Sequence, residues 1–204
     1  MIYPRFGKRL FDLAIAITAS VVLLPVILLT ALVVKVKLGR PVVFRQSRAG
    51  RDGVIFTLYK FRTMTDLCDT TGRVLPDERR LTNAGAVLRR WSLDELPQIW
   101  NVIRGEMSIV GPRPLLARYL DRYNQHQARR HEVRPGCTGW AQVNGRNDLS
   151  WEERFELDVW YVDRLSVLLD FKILVLTLIS VVKRRGINAQ GKATMEEFMG
   201  SKVP

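Results

Sequence analysis

Residues 13–34 form an unbroken uncharged stretch of 22, from Leu13 to Val34, with a proline, Pro25, at its centre. That length can cross a bilayer, because about 20 apolar residues match the ~30 Å hydrocarbon core. The flanks argue against a crossing. Arg5, Lys8 and Arg9 precede the stretch, and Lys35, Lys37 and Arg40 follow it. Basic flanks prefer the cytoplasmic side, so a single pass would leave one cluster on the wrong face. Both ends stay on one side if the helix dips in, bends at Pro25 and returns. Proline can cause that bend, since it lacks an N–H and its ring clashes with the carbonyl four residues back. The arms, Leu13–Leu24 and Val26–Val34, would each reach about half the core at ~1.5 Å per residue. A proline-kinked single pass is the competing reading, since membrane helices tolerate proline. A signal peptide fits poorly: residues 31–40 offer no small-residue cleavage site, and the run is too long.

Composition narrows the partners. The net charge of +12, from 32 basic and 20 acidic residues, calls for a polyanion. Nucleic acid, an anionic membrane surface and a phosphorylated substrate all qualify, and an apolar anchor favours the last two. Removing residues 1–40 leaves about 160 residues, enough to bury a core of their own. Cys68 and Cys137 lack metal-ligand spacing and read as reduced and structural. His126 and His131 read as solvated side chains rather than a zinc pair.

The remaining chain reads as α+β and mainly helical. Val42–Arg48 and Val54–Met64 flank a Gly- and Asp-containing turn at residues 49–53, which predicts a β-hairpin. Residues 66–80 read as a mobile surface loop. Helices are expected over Ala84–Trp91, over about Leu96–Ile103, where apolar residues recur at helical spacing, and from about Leu115 to Arg130. Gly111-Pro112-Arg113-Pro114 reads as a rigid turn, and Arg134–Arg146 as a loop. Ser150 and Glu153 have capping-box spacing and open a helix over Trp151–Val162. Ile173–Val182 is nearly all apolar but too short to span. With Lys183, Arg184 and Arg185 behind it and the aromatics Trp151, Phe155, Trp160 and Tyr161 nearby, it reads as interfacial. Core packing would use the same residues equally well.

The chemistry concentrates in Ser92-Leu93-Asp94-Glu95-Leu96-Pro97-Gln98, just after Arg89 and Arg90. Ser92 to Glu95 has capping-box spacing, and acids suit a helix N-terminus. Pro97 disturbs that reading, because it fits the first helical position better and leaves Asp94 and Glu95 at a helix junction. One carboxylate could then face a phosphorus atom while the other holds magnesium, which takes one or two carboxylates plus substrate phosphates. Aspartate attack on phosphorus is a known covalent strategy. Spacing alone favours the cap. Basic residues supply an anion-binding side: Lys60 and Arg62 share a strand face, and Arg113 is held between two prolines.

The segments KFRTM (60–64), SLDELPQIWNVIRGEMSIVGPRPL (92–115), RPGCTGWAQVNGR (134–146) and LLDFKIL (168–174) resemble the small bacterial monotopic phosphoglycosyl transferases. The resemblance runs from about Phe6 to about Arg185. It implies transfer of a sugar 1-phosphate from a UDP-sugar to polyprenyl phosphate, usually undecaprenyl phosphate, as the first membrane step of glycoconjugate assembly. It implies that Asp94 is the nucleophile and Glu95 the ligand of a Mg2+ cofactor. It matches Lys60, Arg89 and Arg113 to basic positions of the active site, and Asp158 and Asp170 to acidic positions; Arg62 joins them as a substrate-binding candidate. It also implies a re-entrant membrane anchor over 1–40, a catalytic domain over 41–185 and a tail over 186–204. The protein would sit on the cytoplasmic face of a bacterial inner membrane, bound to the lipid bilayer but not to nucleic acid, with a homodimer left open. Many relatives have serine before the hairpin proline where this chain has Leu24. The tail from Gly191 to Gly200 resembles relatives that use N,N′-diacetylbacillosamine in protein glycosylation. Two rivals stand beside this reading. A non-enzymatic basic peripheral membrane protein explains the charge and anchor but not the rigid turn beside an acidic pair. A polytopic transferase needs many spans.

Overall fold

The computed structural model describes residue 3 and residues 7–145, 149–183 and 197–200. Arg5, Arg146, Arg184, Arg185 and residues 186–196 and 201–204 of the tail lie outside them. The described chain is mainly helical with two small sheets, as α+β requires. Two helices open it, α1 (Lys8–Val22) and α2 (Leu24–Leu38), and they meet at a bend of 64°. The break falls at Leu23, two residues before Pro25. Proline is tolerated in the first turn of a helix, where its missing N–H has no intrahelical partner to lose. Helix α2 therefore starts around Pro25, and the chain gives way just upstream. Ser20 and Thr30 donate their hydroxyls to the carbonyls of Ala16 and Val26, each 2.7 Å away. No single helix among the described residues is long and apolar enough to cross a membrane; α1 and α2 together are.

The hairpin forms as its turn signals predict. Strand β1 (Val43–Ala49) pairs antiparallel with β2 (Ile55–Phe61) across a short 3₁₀ turn at Arg51–Gly53. Residues 66–80 form an exposed, largely irregular segment that contains a bridge from Cys68 to Val74 and a one-turn helix α3 over Asp77–Arg80. Helix α4 (Asn83–Arg90) is capped by Thr82, whose hydroxyl accepts from the Gly85 N–H at 2.9 Å. Gly85 is required by close packing, since a Cβ there would lie 1.9 Å from the Thr63 carbonyl oxygen. Helix α5 covers Gln98–Arg104, and β3 (Ser108–Val110) pairs in parallel with β4 (Gly136–Thr138).

Two expectations change here. The long helix over 115–130 is broken into a 3₁₀ segment (Ala117–Arg122), a short α6 (Gln125–Ala128) and a second 3₁₀ segment (Arg129–Glu132). Tyr123 is extended (φ −78°, ψ 138°), and the Asn124 side chain caps α6, so local capping ends one element and starts another. The glycine-rich 134–146 segment holds β4 and helix α7 (Trp140–Asn144) rather than a bare loop. Gly136 lets β4 approach β3 closely, because a Cβ there would lie 2.1 Å from the Gly111 nitrogen.

Helix α8 (Trp151–Asp163) has the reciprocal Ser150–Glu153 capping box that its sequence spacing predicts. Its aromatic residues pack inward: Phe155 and Tyr161 are buried, Trp151 stacks on Phe155, and Trp160 stacks on Trp140. Helix α9 (Val167–Lys183) runs well beyond the apolar decade and turns Leu168, Phe171, Val175 and Leu178 outward. The main core gathers Ala16, Phe56, Leu58, Val102, Met107, Ile109, Val110, Tyr161 and Ile173. Val34, Phe61 and Leu88 form a second cluster that fastens α2 to the body. Phe198 fills a third, among Leu115, Tyr119 and Phe155.

Candidate active site

Asp94 and Glu95 sit in a 3₁₀ turn, Leu93–Glu95, between α4 and α5. The capping box does not form. Ser92 adopts a left-handed conformation (φ 54°, ψ 23°), and its side chain makes no cap hydrogen bond. Pro97 immediately precedes the first residue of α5, which leaves the acids at a junction as the proline demands. A non-glycine residue held left-handed costs on the order of 1 kcal/mol, and such strain clusters at functional turns.

Strand β2 delivers the first cation. Phe56 and Leu58 point into the core, and period-two alternation carries Lys60 to the same side. Its Nζ donates to Glu95 Oε1 at 2.7 Å. The Arg113 guanidinium donates to the same oxygen at 2.8 Å. These two cations hold Glu95 well below the usual carboxylate range despite its burial. Asp94 goes the other way. Burial, and then the neighbouring charge of Glu95, push its pKa up, while Lys60, Arg89 and Arg113 pull it back. Asp94 is 8% exposed and makes no hydrogen bond to any described residue. Arg89 reaches the site from the last turn of α4, steadied by a 3.1 Å hydrogen bond to the Thr63 hydroxyl.

The turn carrying Arg113 is clamped from several elements. Its successive carbonyls at Pro112, Arg113, Pro114 and Leu115 accept from Gly136 N–H, Arg130, Arg48 and Ala49 N–H at 2.9, 2.7, 3.4 and 3.2 Å. Arg130 is fixed by Asp158, which accepts from its Nε and Nη2 at 3.0 and 2.8 Å. Both side chains are only 1% exposed. Asp158 thus stands behind Arg113, through Arg130, rather than beside Glu95.

The other candidates sit elsewhere. Arg62 lies just past the end of β2, where strand alternation stops; it donates to the Met64 and Arg40 carbonyls and to Asp66. Asp170 accepts from Tyr3 at 2.5 Å and Tyr161 at 2.7 Å, and pairs with Lys8 at 2.9 Å. Lys8 also meets Asp12, which accepts from the Ser108 hydroxyl and the Ile109 N–H. That buried cluster joins α1, β3, α8 and α9. His131 is not solvated: its Nδ1 lies 2.9 Å from the Gly50 carbonyl, and burial with the Arg130 charge lowers its pKa to about 4. Burial raises the Cys137 thiol to about 12, leaving it an unreactive neighbour of Glu95.

Magnesium fits the donor set. Glu95 Oε1 is taken by Lys60 and Arg113, and Oε2 makes no hydrogen bond to any described residue. No cluster of three metal-ligating side chains exists among the described residues, so a metal here would draw most of its ligands from substrate and water. Sequence reasoning missed Arg48, Gln98 and Arg130. No local signal marked any of the three: Gln98 lies four residues after Asp94, but Pro97 separates the 3₁₀ turn from α5, so helical spacing does not relate them.

The family model for bacterial sugar transferases matches residues 3–184. The chain is 57% identical over 194 residues to an uncharacterized sugar transferase, EpsL, of Bacillus subtilis, covering 95% of this chain and 96% of that one. It is 42% identical to the UDP-glucose:undecaprenyl-phosphate glucose-1-phosphate transferase of Xanthomonas campestris, covering 90% of this chain but 40% of that protein. A UDP-galactose-lipid carrier transferase of Erwinia amylovora is 40% identical, over 89% of this chain and 42% of its own length. The chain therefore spans about two fifths of those two larger relatives.

Proposed function

The chain belongs to the bacterial sugar transferase family, and from that premise we propose that it moves a sugar 1-phosphate from a UDP-sugar to undecaprenyl phosphate, releasing UMP. The observation that carries the mechanism is the contrast between two adjacent carboxylates. Glu95 is neutralised by Lys60 and Arg113, while Asp94 is unpaired, buried and of raised pKa. Asp94 attacks the sugar-linked phosphorus: a bond forms from its carboxylate oxygen to phosphorus, and the bond to the UMP oxygen breaks. Arg113 and Lys60 stabilise charge that develops on the phosphoryl oxygens. The lipid phosphate then attacks the same phosphorus and returns Asp94 to its free form. Glu95 Oε2 would hold Mg2+, which when bound supplies charge neutralisation at the diphosphate.

The bent helix pair supports a re-entrant anchor. Two arms of 15 residues meeting at 64° reach about 12 Å below their ends when placed symmetrically, at ~1.5 Å per residue. That depth lies within one leaflet of the ~30 Å core. Leu24, Leu28, Leu29 and Leu32 are exposed at the bend and along α2, as lipid contact requires. The exposed face of α9 would lie in the headgroup region. In this reading residues 1–40 anchor the chain to the cytoplasmic face of the inner membrane, and residues 41–185 carry the catalysis. The donor we propose is UDP-N,N′-diacetylbacillosamine or another UDP-N-acetyl sugar, supported by the tail sequence. UDP-glucose and UDP-galactose, named for the relatives, are the alternatives to test.

Purified full-length protein incubated with each UDP-sugar, without lipid, should release UMP with one donor. It should also gain the mass of that sugar phosphate on the tryptic peptide Trp91–Arg104. Asp94→Asn should show neither. UMP that appears only with undecaprenyl phosphate present, with no adduct trapped, favours direct transfer and makes Asp94 a base or second metal ligand.

A further inference from the structure

Gln98 opens α5 and is only 3% exposed, yet its carboxamide makes no hydrogen bond to any described residue. Its polar atoms are not sealed off from solvent, so they are free to meet a group that enters the recess beside them. Gln98 lines this small polar recess with Arg48, Lys60 and Arg113, closed by Leu58 and Pro114. Arg48 is held at one end by Gln46 Oε1 at 2.6 Å, has a long 3.4 Å contact to the Pro114 carbonyl, and keeps a buried Nε with no partner. Three cations therefore face the recess, and among the described residues Glu95 is the one acid that pairs with any of them. The neutral carboxamide adds two N–H donors without more positive charge. Such a set of donors suits an anion that only accepts hydrogen bonds.

We infer that Gln98 donates to a phosphate oxygen that a substrate bound at the mouth of this recess inserts into it, with Arg48 supplying a further positive charge. This rests on the proposed function, which provides two sources of that group: the donor diphosphate and the lipid acceptor phosphate. Gln98 touches substrate directly, whereas Arg130 and Asp158 act behind Arg113.

Gln98→Leu keeps the shape and removes the donors. Because the carboxamide makes no hydrogen bond to a described residue, its loss should leave the unfolding temperature of the full-length, detergent-solubilised protein unchanged or raised, the reverse of a structural role. UDP binding, measured by calorimetry with Mg2+ present, should weaken about tenfold or more if the donor diphosphate occupies the recess. If the acceptor phosphate occupies it, UDP binding holds and the KM for undecaprenyl phosphate rises by a similar factor. Gln98→Glu, which puts an acid among the cations, should impair the same step further. Gln98→Met serves if the leucine variant fails to fold. UDP affinity and acceptor KM both within about twofold of wild type would overturn the inference, as would an effect confined to the UDP-sugar KM, which marks a sugar contact. A wild type that neither binds UDP nor turns over any UDP-sugar overturns the proposed function itself.

Discussion

At the scale of single residues, Asp94 and Glu95 show how neighbours in sequence acquire different chemistry. On adjacent positions of a tight turn their carboxylates part company: one meets two cations, the other meets burial and its neighbour's charge. Attack needs Asp94 ionised, so activity should fall as pH drops through its raised pKa. Arg89 is one of the cations that lower that pKa, so Arg89→Gln should raise it further and shift the acid limb of kcat/KM to higher pH. A pH–rate profile of the variant checks this, and a limb that stays put would mean that another group titrates. The acidic pair, Lys60 and Arg113 were legible in the sequence because strand alternation and rigid prolines are local signals. Arg48, Gln98 and Arg130 were not, since their roles depend on which distant segment lies opposite. Arg62 shares a strand face with Lys60 on paper, but the strand stops one residue too early.

At the scale of elements, the bend between α1 and α2 carries the topology. Cysteines placed at positions 5 and 40, with Cys68 and Cys137 replaced, should both resist membrane-impermeant labelling from outside intact cells. Labelling at one and not the other would mean a full crossing. Pro25→Ala restores the missing N–H and removes the ring, so it should straighten the pair and expose one of the two positions in part of the population. Hairpin, capping box and junction proline were readable because each is set within a few residues. The supposed helix over 115–130 failed for the same reason in reverse: Asn124 caps a new turn there, and a continuous helix would have needed that side chain to point elsewhere.

At the scale of the whole molecule, the cluster of Lys8, Asp12, Tyr3, Tyr161 and Asp170 ties the first helix to the last. Two buried carboxylates share one lysine, and burial with the Asp170 charge keeps both phenols protonated. Asp170→Asn should destabilise the fold by about 1.5–3 kcal/mol, because Tyr3 and Tyr161 lose a charged acceptor while Lys8 keeps Asp12. Amide exchange in α1 should accelerate more than in β1 and β2. Unchanged denaturation and unchanged α1 exchange would show that the cluster does not secure the anchor. The sequence by itself determined the apolar stretch with its central proline, the mainly helical α+β character and the acidic pair at a helix junction, because periodicity, prolines and caps act over a few residues. The tertiary structure alone decided that Asp158 stands behind Arg113, that Asp170 locks α1 to α9, and that Gln98 opens into a cationic recess. Those outcomes depend on which side chains meet across 15 to 167 residues of chain, and no local pattern encodes such a meeting.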